Sequence, residues 1–170
     1  MSKDKLNINY WLRKFYVSKF FQGFPFSKTF IRKIVFTSIF KSKHWVQKSV
    51  LPKNNISVSG HGSNINTDQS RNLIKSLLDF FEKYQIKSVL DMPCGDFLWM
   101  NEIMKKNNEL KYLGIDIVDE IIKNNAKLYG NDKIKFKSFD IVDFKTMENF
   151  DLVLMRDFFI HNKNSDIKQI

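Results

Sequence analysis

Four charged positions in this chain share one kind of setting: each directly follows a short apolar run. Asp91 follows SVL, Asp116 follows YLGI, Asp140 follows IKFKSF, and the pair Arg156-Asp157 follows FDLVLM. A carboxylate is acceptor-only and can take two hydroxyls at once, or an ammonium; a guanidinium is donor-only. Asp116 stands 21 positions after Gly95, the spacing at which an acid beyond a glycine turn meets ribose hydroxyls. Gly95 permits close backbone approach or a positive φ. The turn itself reads PCGD rather than G-x-G-x-x-G. Pro93 brings no N–H, so the turn has one donor fewer for a phosphate, and Asp96 repels one. A ligand with an amine and no phosphate fits better, and S-adenosylmethionine has both properties. One acid at a strand end is often only a helix cap; the ordered set of four argues for a site.

The elements that must position these residues alternate. The spacing of Leu73, Ile74, Leu77, Leu78 and Phe81 predicts a helix after a cap at Thr67 or Asp68. Strands are predicted at Ser88–Leu90, Tyr112–Ile115, Ile134–Phe139 and Phe150–Met155. Helices are predicted at Phe97–Lys106 and at Val118–Tyr129, the second stopped by Gly130. Strands and helices in units of about 25 residues imply βαβ crossovers and an α/β, Rossmann-like, doubly wound parallel sheet, with ligands beyond the carboxyl ends of its strands. Phe97 and Trp99 read as core or pocket wall. Cys94 reads as a small packing residue, since no His or Arg near it in sequence would activate a thiolate.

Composition narrows the possibilities. The 170 residues suit about one domain. One cysteine excludes an internal disulfide and a thiolate zinc site, and His44, His61 and His161 lack metal-ligand spacing, so no metal is expected and a reducing, cytoplasmic setting is. The net charge of +10 resides entirely in residues 1–50, which hold 11 Lys and Arg against Asp4, while the remaining 17 bases and 17 acids cancel. That distribution gives no strong nucleic-acid signal on the main domain. The expected organisation is a basic, Phe-rich amphipathic helical segment at 1–50, a Gly/Ser/Asn-rich loop at 51–66 and a binding domain at 67–170. In the first segment Trp11, Leu12, Phe15, Tyr16 and Phe20 recur at helical spacing, and Gly23 and Pro25 then interrupt. A second helix starts near Ser27, with Phe30, Ile31, Ile34, Val35 and Ile39 on its apolar face and Arg32, Lys33 and Lys41 elsewhere. No apolar run approaches the roughly 18 residues that span a bilayer. Three readings stay open for this segment: helices packed on the domain, a peripheral contact with anionic membrane, or an acidic partner.

At the strand-end residues the chain resembles class I S-adenosylmethionine-dependent methyltransferases, and more narrowly a bacterial group with a D-x-P-C-G-D-F-x-W-M loop, here DMPCGDFLWM. SVSGHGS, YLGIDIV, FDI, DLVLMRDFFIH and VFTSIFKSKHW also match that group, over about residues 35–170. The resemblance implies that Asp91, Met92, Pro93, Cys94, Gly95 and Asp96, with Trp99, surround the methionine part of S-adenosylmethionine. It implies Asp116 at the ribose hydroxyls, Asp140, followed by Ile141, at the adenine, and Ile117 among the cofactor-binding residues. Arg156 closes the methionine end, Asp157 and His161 stand near the acceptor as catalytic candidates, and Ser59, Gly60, Gly62 and Ser63 cover the pocket. Asn162 departs from the leucine usual in the group.

The implied activity is methyl transfer to an unidentified nitrogen or oxygen acceptor. The fold implied by the resemblance has seven strands and four are visible, so a C-terminally truncated fragment is the expectation. An inactive remnant and a membrane-peripheral binding module are the alternatives. A nicotinamide-dependent oxidoreductase is disfavoured by PCGD.

Overall fold

The computed structural model describes residues 28–46 and 57–170. The aromatic helix expected between Trp11 and Phe20, the start of the second helix at Ser27 and the first part of the 51–66 loop lie outside the described residues.

Strand β1 (Ser88–Asp91) is the centre of the sheet because its run is apolar on both faces, and it pairs in parallel with β2 (Lys111–Asp116) on one side and β4 (Leu152–Leu154) on the other. Beyond β2 lies β3 (Ile134–Ser138), giving four parallel strands in the order β3-β2-β1-β4. The alternation in β3 is that of an edge strand: Ile134 and Phe136 pack inward, and Lys135 and Lys137 face out. Strand β4 returns to the far side of β1, so the order reverses between β1 and β4. That reversal opens a crevice at the carboxyl ends of the strands.

Helices α2 (Asp68–Tyr84), α3 (Leu98–Lys106) and α4 (Asp119–Tyr129) belong to one face, where Ile74, Phe81, Met100, Ile103 and Ile122 pack with Val89 and Tyr112. The opposite face gathers Leu90, Leu113 and Ile115 with Ile141, Val142 and Phe158; Ile167 of the short α5 (Asn164–Ile167) adds to it. The strands and helices predicted within residues 67–155 form, with ends moved by one or two residues. Thr67 is the cap of α2: its hydroxyl accepts from the Ser70 N–H at 3.2 Å. Thr67→Ala is expected to cost about 1 kcal/mol, read as a lower urea midpoint at unchanged slope.

Helix α1 (Lys28–Lys41) forms where expected but is turned differently. Val35 and Ile39 are buried, while Phe30 and Ile34 are exposed, and Arg32, placed by the sequence reading away from the apolar face, is 2% exposed. Arg32 precedes Val35 by three positions and Ile39 by seven, so it shares their stripe. Three carboxylates, described below, draw it inward.

Candidate functional site

The loop after β1 is built to bring backbone, not side chains, to the crevice. Gly95 takes φ +54°, and a Cβ there would lie 2.4 Å from the Ser59 Oγ, so a larger residue would be strained and would displace Ser59. Its N–H donates to Asp116 Oδ2 at 3.2 Å and its carbonyl accepts from Asn125 Nδ2 at 2.8 Å. Cys94 N–H donates to the Ile115 carbonyl at 2.9 Å, tying the loop to the end of β2. Phe97 then adopts φ +63°, a conformation rare for a bulky residue, with its ring fully buried among Tyr112, Tyr129 and Phe136. Burial of that ring offsets a backbone cost of about 1–3 kcal/mol. This is why a phenylalanine stands where a dinucleotide loop has a small residue.

Asp96 corrects an expectation. Its carboxylate does not face the crevice. Oδ2 accepts from the Ser57 hydroxyl and the Val58 N–H, both at 2.7 Å, and its own N–H donates to Ser59 Oγ at 2.9 Å. Asp96 therefore clamps the SVSG segment onto the β1 loop. The resemblance puts Ser59, Gly60, Gly62 and Ser63 over the pocket, and of these Ser59 and Ser63 are in the lining while Gly60 and Gly62 are not. The Gly62 carbonyl accepts from Arg156 Nη2 at 2.5 Å. Met92 is likewise corrected: it packs with Leu90 and Leu113 in the core.

Pro93, Cys94, Gly95 and Trp99 line the crevice from the β1 side. Asp116, Ile117, Asp140 and Ile141 line it from the β2 and β3 ends, and Arg156, Asp157, His161 and Asn162 from the segment after β4. Segments from four separate strand ends thus converge, but Asp91 itself is 1% exposed and lies at the end of β1, outside the lining, which on that side begins at Pro93. Cys94 is buried, and burial pushes its thiol well above its ordinary value, which suits packing and not nucleophilic attack. Asn162 donates to the Phe158 carbonyl at 2.8 Å, stitching the turn that carries His161. The His161 ring lies 5.4 Å from Trp45, and Phe36 of α1 borders the same end. Arg32, Phe36, Trp45 and Asn125 were not read as site residues. For Arg32 the available signal was its position on the Val35–Ile39 stripe, and for Asn125 its placement one turn after Ile121 and Ile122.

Two buried polar atoms lack a hydrogen-bond partner among the described residues: Asp91 Oδ1 and Arg156 Nη1. The other Asp91 oxygen accepts from the Tyr112 hydroxyl at 2.7 Å, and the Arg156 guanidinium lies 5.2 Å from the Trp99 ring centre. Unsatisfied buried groups of opposite charge are costly unless a ligand meets them. Burial, aided by the nearby Asp116 charge, pushes Asp91 up to about 7 against the Tyr112 hydrogen bond and Arg156, which act the other way. Burial likewise pushes Asp116 up to about 6, against N–H donors from Val118 and Gly95.

These shifts fix a sign. Both acids hold their protons more tightly folded than unfolded, where the value is 3.8. Their stabilising contribution is complete below that value and is lost as pH rises to about 7. The melting temperature of the ligand-free chain is expected to carry a downward component between about pH 4 and 7 that flattens in Asp91→Asn. Scanning fluorimetry of both proteins across that range checks it.

No protein-family model and no curated protein sequence matches the chain. Solved structures do. The plantazolicin methyltransferase BpumL, in complex with a monoazolic desmethylPZN analog and SAH, is 21% identical over 95% of this chain and 53% of that one, with a TM-score of 0.51. The N-methyltransferase NodS from Bradyrhizobium japonicum WM9, in complex with S-adenosyl-L-homocysteine, is 14% identical over 77% of this chain and 63% of that one, with a TM-score of 0.54. The chain spans 42–53% of the length of the BpumL structures it matches. These likenesses establish the fold: a parallel α/β sheet of the methyltransferase kind.

Proposed function

We propose that the chain binds S-adenosylmethionine across the carboxyl ends of its sheet and serves methyl transfer to a nitrogen or oxygen acceptor. The observation that carries this is two buried atoms without a partner among the described residues: Asp91 Oδ1, at the end of β1 just before the lining residues Pro93, Cys94 and Gly95, and Arg156 Nη1, in the crevice lining. An α-amino acid group is a zwitterion whose ammonium suits the first and whose carboxylate suits the second. The α-amino acid neighbours a ribose and an adenine in this cofactor, and Asp116 and Asp140 supply acceptors in the same crevice. The donors that a pyrophosphate needs are already used: the Gly95 N–H by Asp116 and the Leu98 N–H by Asp96.

When bound, the cofactor supplies an electrophilic methyl carbon on a sulfonium. The chain's own residues orient, exclude water and handle the acceptor's proton. Trp99 and Arg156 close the methionine end. Asp157 and His161 stand where an acceptor would enter, and either can take a proton from an N–H or O–H nucleophile. Positioning of donor and acceptor in line supplies most of the acceleration.

Ligand-dependent melting tests the reading. S-adenosylhomocysteine at about 100 times its dissociation constant is expected to stabilise by about 2.7 kcal/mol, a rise of roughly 5–11 °C for a chain of this size. NADH is expected to give none. No rise with S-adenosylhomocysteine at millimolar concentration, or an equal rise with NADH, contradicts it.

A further inference from the structure

We propose that Arg32 is a positioning residue of the cofactor site, holding the Asp140 carboxylate in the orientation that receives an adenine amine and so making helix α1 a wall of the adenine subsite. The inference rests on the S-adenosylmethionine reading. Arg32 Nε donates to Asp140 Oδ2 at 2.6 Å, while Asp140 Oδ1 accepts from the Val142 N–H at 3.1 Å. The carboxylate is thereby fixed at both oxygens, and each keeps a further lone pair. The other guanidinium nitrogens reach Asp143 at 3.3 Å and Asp166 of α5 at 3.4 Å. Among the described residues Arg32 thus faces three acids, from the segment after β3 and from α5. Arg32 and Asp140 are both nearly fully buried, and both border the crevice beside Asp116 and Ile141. A buried ion pair is weak evidence for stability alone. Its placement on the ligand-facing wall, supplied by a helix outside the sheet, gives it a second task.

Titration calorimetry on the full chain compares S-adenosylhomocysteine with S-inosylhomocysteine, in which a carbonyl replaces the exocyclic amine. The unaltered protein is expected to prefer the amine by about tenfold or more, the size of one charge-assisted hydrogen bond. Arg32→Met is expected to lose about tenfold in S-adenosylhomocysteine affinity and to bind the two ligands within about threefold of each other. Arg32→Lys, which keeps the charge without the planar fork, is expected to fold and to lose about threefold of the preference. A lowered melting temperature with unchanged affinity and preference in Arg32→Met overturns the proposal. So does an unchanged preference in Arg32→Lys if Arg32→Met does not fold, and so does an unaltered protein that binds both ligands equally. Failure of the unaltered protein to bind S-adenosylhomocysteine at all overturns the underlying reading and this inference with it.

Discussion

Asp116→Ala is expected to weaken S-adenosylhomocysteine binding by roughly 100-fold or more, the effect of removing two charge-assisted hydrogen bonds at about 1.5–3 kcal/mol each. Asp116 ends β2, is 6% exposed and lines the crevice. Its oxygens accept from Val118 N–H at 3.0 Å and Gly95 N–H at 3.2 Å, so the carboxylate is oriented before a ligand arrives. Each oxygen retains a lone pair for a ribose hydroxyl. The alanine variant also frees the Gly95 N–H and loosens the loop that Gly95 and Asn125 define. Asp116→Asn separates the two effects: it keeps the shape and one acceptor, and is expected to lie between the alanine variant and the unaltered protein. Calorimetric titration at about pH 7.5, where Asp116 is ionised, makes the comparison. A loss below about threefold in the alanine variant contradicts the ribose role.

Arg32→Met is expected to destabilise the fold by about 3–5 kcal/mol, because it removes the guanidinium paired with the buried Asp140 carboxylate. The Arg32 and Asp140 side chains are 3% and 4% exposed, and that of Asp166 is 5% exposed. Asp143 is half exposed and adds little. For a chain of this size the loss corresponds to a fall of roughly 6–20 °C in melting temperature. Lys33→Ala is the control on the same helix. Its partner Asp119 and Lys33 itself are both more than 40% exposed, and its loss is expected to cost at most about 1 kcal/mol. Equal, small changes in the two variants contradict the view that Arg32 anchors α1.

The sheet was legible because its strands are short, apolar and regularly spaced, and because an acid or an arginine follows each. That pattern located Asp91, Asp116, Asp140 and Arg156 without knowledge of their contacts. Two kinds of residue were not legible. The first are polar groups whose partners lie far along the chain. Arg32 meets Asp140 across 108 positions and Arg156 meets Gly62 across 94, and no local period encodes either meeting. The second are residues whose side chain serves the backbone. Asp96 reads as a ligand-facing acid beside Gly95, yet its Oδ2 accepts from the N–H groups of Val58 and Ser59. A Gly/Ser-rich stretch such as SVSGHGS reads as a loop because Val58 is its one apolar residue. Its order comes from that single carboxylate and from Ser57 and Asn64, whose mutual hydrogen bond at 2.8 Å is buried.

We propose that the crevice holds an amino acid–bearing nucleoside, with Arg156 in its lining and Asp91 buried at the adjoining end of β1. Calorimetry with S-adenosylhomocysteine near pH 6.5, in two buffers of different ionisation enthalpy, tests it most directly. Asp91 is raised to about 7 in the ligand-free chain and must be ionised to receive an ammonium. Saturable one-to-one binding is therefore expected, with a dissociation constant on the order of micromolar or tighter and an enthalpy that differs between buffers because a proton is released. Asp91→Ala is expected to lose both the affinity and the buffer dependence. No saturable heat, or binding that Asp91→Ala leaves unchanged, contradicts the claim.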